Sequence, residues 1–186
     1  MFIAELMELK RLSLTYKDEL FTLINTNREH LREWLPWVDL TESPADTECF
    51  LEAAINQYQS GQGPQYAIFS DSALCGVCGF HSFDLSNRTG SIGYWLGEAY
   101  SGKGFMARAV QALVEQGFRE YDLNRIEIAC ATGNTKSRAI PERLGFKLEG
   151  VLREREYVNG RYLDQAIYSM LASEFQALTL MLPAKL

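Results

Sequence analysis

The 186-residue chain is 47% hydrophobic and 23% charged, enough apolar material for one sizeable core, so a single domain over residues 1–186 is expected. Its net charge of −6 and pI of about 5.0 argue against a broad nucleic-acid-binding surface. No run approaches the roughly 18 apolar residues of a membrane helix. "MFIAELMELKRLSL" puts acids where a secretory leader carries a basic head and apolar centre, so a cytoplasmic, membrane-free protein is expected.

The first element is a strand, about Glu8 to Leu14. In "LTYKDELFTLINTNREHLREWL", Leu20, Leu23, Ile24, Leu31 and Leu35 keep helical spacing, with a break expected near Thr26. "SPADTECFLEAAINQYQSG" has Ser43 as N-cap, Pro44 at the first helical position and Gly61 past the end, which predicts a helix. "QYAIFS", "ALCGVCGFHSF" and "TGSIGYWL", separated by turn-rich breaks, predict a meander of three antiparallel strands. From Gly104, the apolar residues Met106, Ala109, Val110, Leu113, Val114 and Phe118 share one helical face, and the strand "RIEIAC" follows. Strand, crossover helix and strand predict a parallel pair. A short helix at "TKSRAIPERL" leads to "FKLEGVLREREYV", and Asn159-Gly160 turns the chain into "RYLDQAIYSML".

Four cysteines occur, at positions 49, 75, 78 and 130. Cys75 and Cys78 have a spacing that invites a metal reading, but strand residues three apart face opposite sides, so the two thiols are expected to diverge as small core residues. No metal is expected.

"YSGKGFMARA" sets two glycines around a lysine at a helix start. It lacks the spacing of a Walker loop and the third glycine of a dinucleotide fingerprint. Unpaired N–H groups aligned with the helix dipole, uncrowded at 102 and 104, suit a closely approaching pyrophosphate or, equally, an ordinary loop.

The ordered set "IGYWL", "YSGKGFMARA", "NTKSRAIPERLGFKLEG" and "YVNGRYLD" resembles the GNAT superfamily of acetyl-CoA-dependent N-acetyltransferases, nearest its RimJ/RimL-like group. The similarity runs from about Leu9 to Leu171. It implies an α/β (α+β) GNAT fold, a mostly antiparallel seven-stranded sheet with splayed central strands, and acetyl-CoA as co-substrate. The family's pyrophosphate loop falls on Ser101, Gly102, Lys103, Gly104, Phe105 and Met106, with Ser101 replacing a long polar residue and Met106 a small one. The pantetheine arm would pair with Tyr94, Trp95 and Leu96, and Asn134 and Ser137 would contact the cofactor. By the same resemblance Glu156 is the general base and Ser137 the acid for the leaving thiolate. The implied acceptor is the N-terminus of a basic ribosomal protein. A small amine such as a polyamine or aminoglycoside, or a catalytically silent CoA-binding module, are the alternatives. A homodimer is a further implication.

Residue chemistry constrains these roles. An α-amino group, with a pKa near ~8, asks less of a base than lysine at ~10.4. Hairpin parity puts Glu156 opposite Leu163 and Arg155 opposite Asp164, with Glu156 on one face and Asp164, Tyr162 and Tyr168 on the other. Tyr168 therefore cannot join Glu156 unless a bulge intervenes, and Asp164 is expected to pair with Arg155. Asn134 and Ser137 double as helix-start caps. Pro141 should clash with the Ser137 carbonyl and distort the helix there. Trp34, Trp37 and Tyr66 are channel-lining candidates by the resemblance, though taken singly each is better read as core packing, and His81 is better read as a satisfied strand histidine than as a ligand or base.

Overall fold

The structure is a computed structural model describing residues 7–181, so the first six residues of the segment read for a leader lie outside the described residues. No described helix is long and apolar enough to cross a membrane. Seven strands form one sheet in the order β1-β2-β3-β4-β5-β7-β6. They are β1 (Met7–Arg11), β2 (Gln65–Ser70), β3 (Ala73–Asp84), β4 (Thr89–Leu96), β5 (Arg125–Ala131), β6 (Lys147–Val158) and β7 (Arg161–Leu171). All neighbours are antiparallel except β4 and β5, which pair in parallel only over Thr89–Ser91 with Arg125–Glu127. Beyond Ser91 and Glu127 the two strands part.

The helices are α1 (Lys17–Thr26), α2 (Arg28–Arg32), α3 (Pro44–Gln59), α4 (Phe105–Arg119), α5 (Thr135–Leu144) and α6 (Ala172–Met181). The expected break at Thr26 separates α1 from α2. α3 starts as its sequence dictates: Ser43 and Asp46 form a capping box in front of Pro44, satisfying N–H groups that a helix start leaves unpaired. The sheet carries an apolar cluster on each face. Leu20, Ile24, Leu51, Phe69 and Val77 pack under α1–α3. Ile68, Cys78, Phe80, Ile92, Ile128 and Tyr168 pack under α4, whose apolar stripe is buried from Met106 to Val114 and partly buried at Phe118.

Several local expectations change. Cys75 and Cys78 do not diverge: both join the α4-side cluster. The β2–β3 register passes from Ile68–Gly76 to Phe69–Leu74, making Cys75 a bulged extra residue that resets strand parity. Burial pushes the Cys78 thiol up to about 12, while Cys49 is exposed on α3. Arg155 does not face Asp164 either. The β6–β7 register steps from Leu152–Gln165 to Glu156–Leu163, and Asp164 Oδ1 instead accepts the Glu154 N–H at 2.8 Å. β1 ends at Arg11, short of Leu14, and α6 extends the chain past the last sequence-read strand.

Arg125 on β5 ties the splayed half together by a two-pronged contact with Glu149 on β6, 2.6 Å at each prong, while Ser169 on β7 donates to Glu149 Oε1, also at 2.6 Å. The Arg125 hydrogen bonds, then that of Ser169, hold the Glu149 carboxyl down to about 2. A depressed carboxyl stabilises the fold above its unfolded pKa of ~4.3 and loses that contribution as pH falls through the folded value. Glu149 is half-exposed, so solvent screening keeps the contribution under about 1 kcal/mol. The urea midpoint of Glu149→Gln should accordingly lie below that of wild type at pH 7, and the difference should close as pH approaches 2.

Candidate active site

A cleft of about 760 Å³ opens where β4 and β5 part, walled by β4, the loop into α4, α5 and the α2 region. Tyr94, Trp95, Leu96, Ser101, Gly102, Gly104, Phe105, Met106, Asn134 and Ser137 all line it, so the structure gathers nearly every cofactor residue expected from sequence. Lys103 is in the same loop, its ammonium 5.7 Å from the centre of the Tyr100 ring. Past Ser91, β4 has no β5 partner, which leaves one backbone edge facing the gap.

Loop conformation explains the glycines. Gly102 and Gly104 both have φ +79, and a Cβ built on either meets no protein atom within 4 Å. Glycine is needed there for the left-handed backbone, which side chains resist. Gly104 is the N-terminal residue flanking α4 and offers no side-chain cap, so the first-turn N–H groups face the cleft mouth unsatisfied by the flanking residue. Met106 is buried in the α4-side core at 5% exposure, so the larger residue at that position does not fill the loop. The loop's placement owes something to Asn27 at the α1–α2 break, which accepts the Glu98 N–H at 2.8 Å.

At the other wall Asn134 caps α5, its Oδ1 accepting the Ser137 N–H at 3.0 Å. Ser137 Oγ donates to Cys130 Sγ at 3.2 Å and lies 3.5 Å from the Tyr94 hydroxyl. Contrary to expectation α5 runs unbroken through Pro141. Burial raises the Tyr94 phenol far above its usual range and also raises the Cys130 thiol, so both keep their protons at neutral pH.

Glu156 is not in this wall. Its carboxylate accepts from Gln165 Nε2, and Gln165 is 6% exposed. Three residues along β7, Tyr168 turns to the other face, where its hydroxyl donates to Glu142 on α5 at 2.6 Å. Glu156 and Tyr168 are thus on opposite faces even with the β6 bulge, because β7 itself runs without irregularity against β5. Ser137 lines the cleft, whereas Glu156 meets Gln165 on the sheet face opposite Tyr168. Burial raises the Glu156 carboxyl, with Arg155 opposing the shift.

The β6–β7 hairpin reaches the α2 region, with Asn159 Nδ2 donating to the Arg32 carbonyl and Arg161 to that of Glu33, the latter at 3.0 Å. Trp34 sits between them: Arg161 lies 5.8 Å from its ring centre, and its far edge is 3.3 Å from where a Cβ on Gly133 would stand. Sequence alone left Trp34, Trp37 and Tyr66 undivided. Trp34 lines the cleft, Trp37 packs on Trp95 with ring centres 5.8 Å apart, and Tyr66 bonds Gln116 on α4 at 2.9 Å. His81 occupies a β3 bulge above Gly93, where a Cβ would collide with its imidazole.

A mixed seven-stranded sheet that opens between β4 and β5 onto a glycine-led helix start is an architecture shared with acetyltransferases of known structure. The chain belongs to the acetyltransferase (GNAT) domain family, whose model matches residues 7–147. It is 37% identical, over 86% of its length and 87% of the relative's, to a Bacillus subtilis (strain 168) protein with the provisional name ribosomal N-acetyltransferase YdaF. It is 32% identical to the ribosomal-protein-serine acetyltransferase of Escherichia coli (strain K12), covering 90% of this chain and 93% of that one. Among solved structures it resembles RimL, a ribosomal L7/L12 alpha-N-protein acetyltransferase in complex with coenzyme A, with TM-score 0.88, 30% identity and coverage of 93% and 98%.

Proposed function

We propose that this acetyltransferase moves the acetyl group of acetyl-CoA to the N-terminal α-amino group of a ribosomal protein. The observation that carries the reading is the gap between β4 and β5, where Tyr94–Leu96, the glycine loop and Ser137 line one cleft; Glu156 would act from the acceptor side. The loop Ser101–Met106 and the α4 start hold the pyrophosphate through backbone N–H groups, and the arm runs along Tyr94–Leu96 with its thioester at the gap. The relatives named for ribosomal-protein acetylation, and the RimL structure holding coenzyme A, support the acceptor and the co-substrate.

The acceptor nitrogen, entering on the Glu156 side, attacks the thioester carbon while Glu156 takes a proton from it, directly or through water, and afterwards gives it up to solvent. As the C–S bond breaks, the thiolate takes a proton from Ser137 Oγ, which regains one from water in the cleft. The raised Glu156 carboxyl is a better base than an exposed one, and an α-amine near pKa ~8 needs no stronger help. No enzyme nucleophile is required. The test is thiol release from acetyl-CoA with N-terminal peptides of ribosomal proteins, their Nα-acetylated analogues, polyamines and aminoglycosides. Turnover confined to free peptide N-termini is expected. Preference for a small amine would overturn the acceptor assignment, and CoA binding without turnover would overturn the activity.

A further inference from the structure

Pro141 stands inside α5, and an interior proline deprives the carbonyl four residues earlier of its N–H partner. That carbonyl belongs to Ser137. A half-buried backbone oxygen without a donor is unfavourable, and the structure supplies one from a distant element. The Tyr94 hydroxyl, reaching from the part of β4 that β5 has left, donates to the Ser137 carbonyl at 3.0 Å. The same hydroxyl lies 3.5 Å from Ser137 Oγ. With its N–H held by Asn134 and its Oγ directed at Cys130, Ser137 is fixed through backbone and side chain together.

From this geometry we infer that Tyr94 is a positioning residue and Pro141 its enabling partner. Proline frees the carbonyl, tyrosine takes it, and the resulting bond pins the splayed end of β4 to α5 and fixes where Ser137 Oγ stands in the cleft. The catalytic part of the inference rests on Ser137 being the proton source for the thiolate. The structural part does not.

The two residues should therefore be coupled, because alanine at 141 restores an N–H that can serve the Ser137 carbonyl within the helix. A double-mutant cycle of Tyr94→Phe and Pro141→Ala in the full-length protein tests this, read by kcat, by KM for the acceptor, by acetyl-CoA affinity and by thermal unfolding. In the wild-type background Tyr94→Phe should lower kcat roughly tenfold with acceptor KM unchanged, and in the Pro141→Ala background by less than about twofold. Acetyl-CoA affinity and unfolding temperature should show the same coupling. An equal Tyr94→Phe loss in both backgrounds, or none in the wild type, overturns the inference. A Ser137→Ala variant separates the two layers. If it turns over at the wild-type rate while the coupling persists in affinity and unfolding, the proton-donor role fails and the Tyr94–Pro141 pairing stands.

Discussion

Glu156→Gln is expected to lower kcat by about 10²- to 10³-fold on a peptide acceptor, within the range that a positioned general base contributes. The amide keeps the shape and still meets Gln165, so acetyl-CoA affinity should hold. The pH profile gives the sharper reading. Because burial raises the Glu156 carboxyl, wild-type kcat should climb with pH as that group loses its proton, at a pH above the ordinary glutamate value. The climb should be missing from the glutamine variant, leaving only the limb that reports the acceptor amine. Stopped assays between pH 5 and 9 would settle it. A variant that keeps both rate and the lower limb would remove Glu156 from the chemistry.

Gly104→Val should cost at least about a hundredfold in acetyl-CoA affinity by calorimetry. A non-glycine residue at positive φ is strained by about 1–3 kcal/mol, and a β-branched side chain at the helix start also crowds the N–H groups offered to the pyrophosphate. Protein atoms leave the position open, so the loss should fall on binding far more than on folding. Lys103→Ala is the contrast: where backbone groups lead, it should weaken binding only a few-fold. A collapse of affinity in Lys103→Ala with Gly104→Val tolerated would make the loop a side-chain site.

Features whose causes are local could be read from sequence. Ser43 and Asp46 announce α3 within four residues, and Asn159-Gly160, at φ 45 and 89, fixes the hairpin register that places Glu156 opposite Leu163. The cleft could be read only through the family resemblance, since by its own residues the glycine loop suits an ordinary turn as well as a ligand. What escaped depends on contacts between distant residues. The Cys75 bulge answers to β2, and the bulge before Glu156 to Asp164, neither of which strand parity sees. Pro141 reads as a helix breaker until Tyr94, 43 positions before Ser137, meets the stranded Ser137 carbonyl. Trp34 became a cleft residue because Gly133 leaves room for its ring, and nothing near Trp34 in the chain signals that.

The three residue pairs joining β4 to β5 have a mechanical meaning. With so short a seam, what holds the β1–β4 half of the sheet to the β5–β7 half is mainly the apolar cluster they share under α4. A pantetheine arm bonded along β4, as proposed, would take the place of a missing strand, so the co-substrate would complete the sheet it sits in. Loading the enzyme would then bridge the two halves of the sheet, and once the acetyl group has gone, release of coenzyme A would mean breaking a strand's worth of backbone bonds.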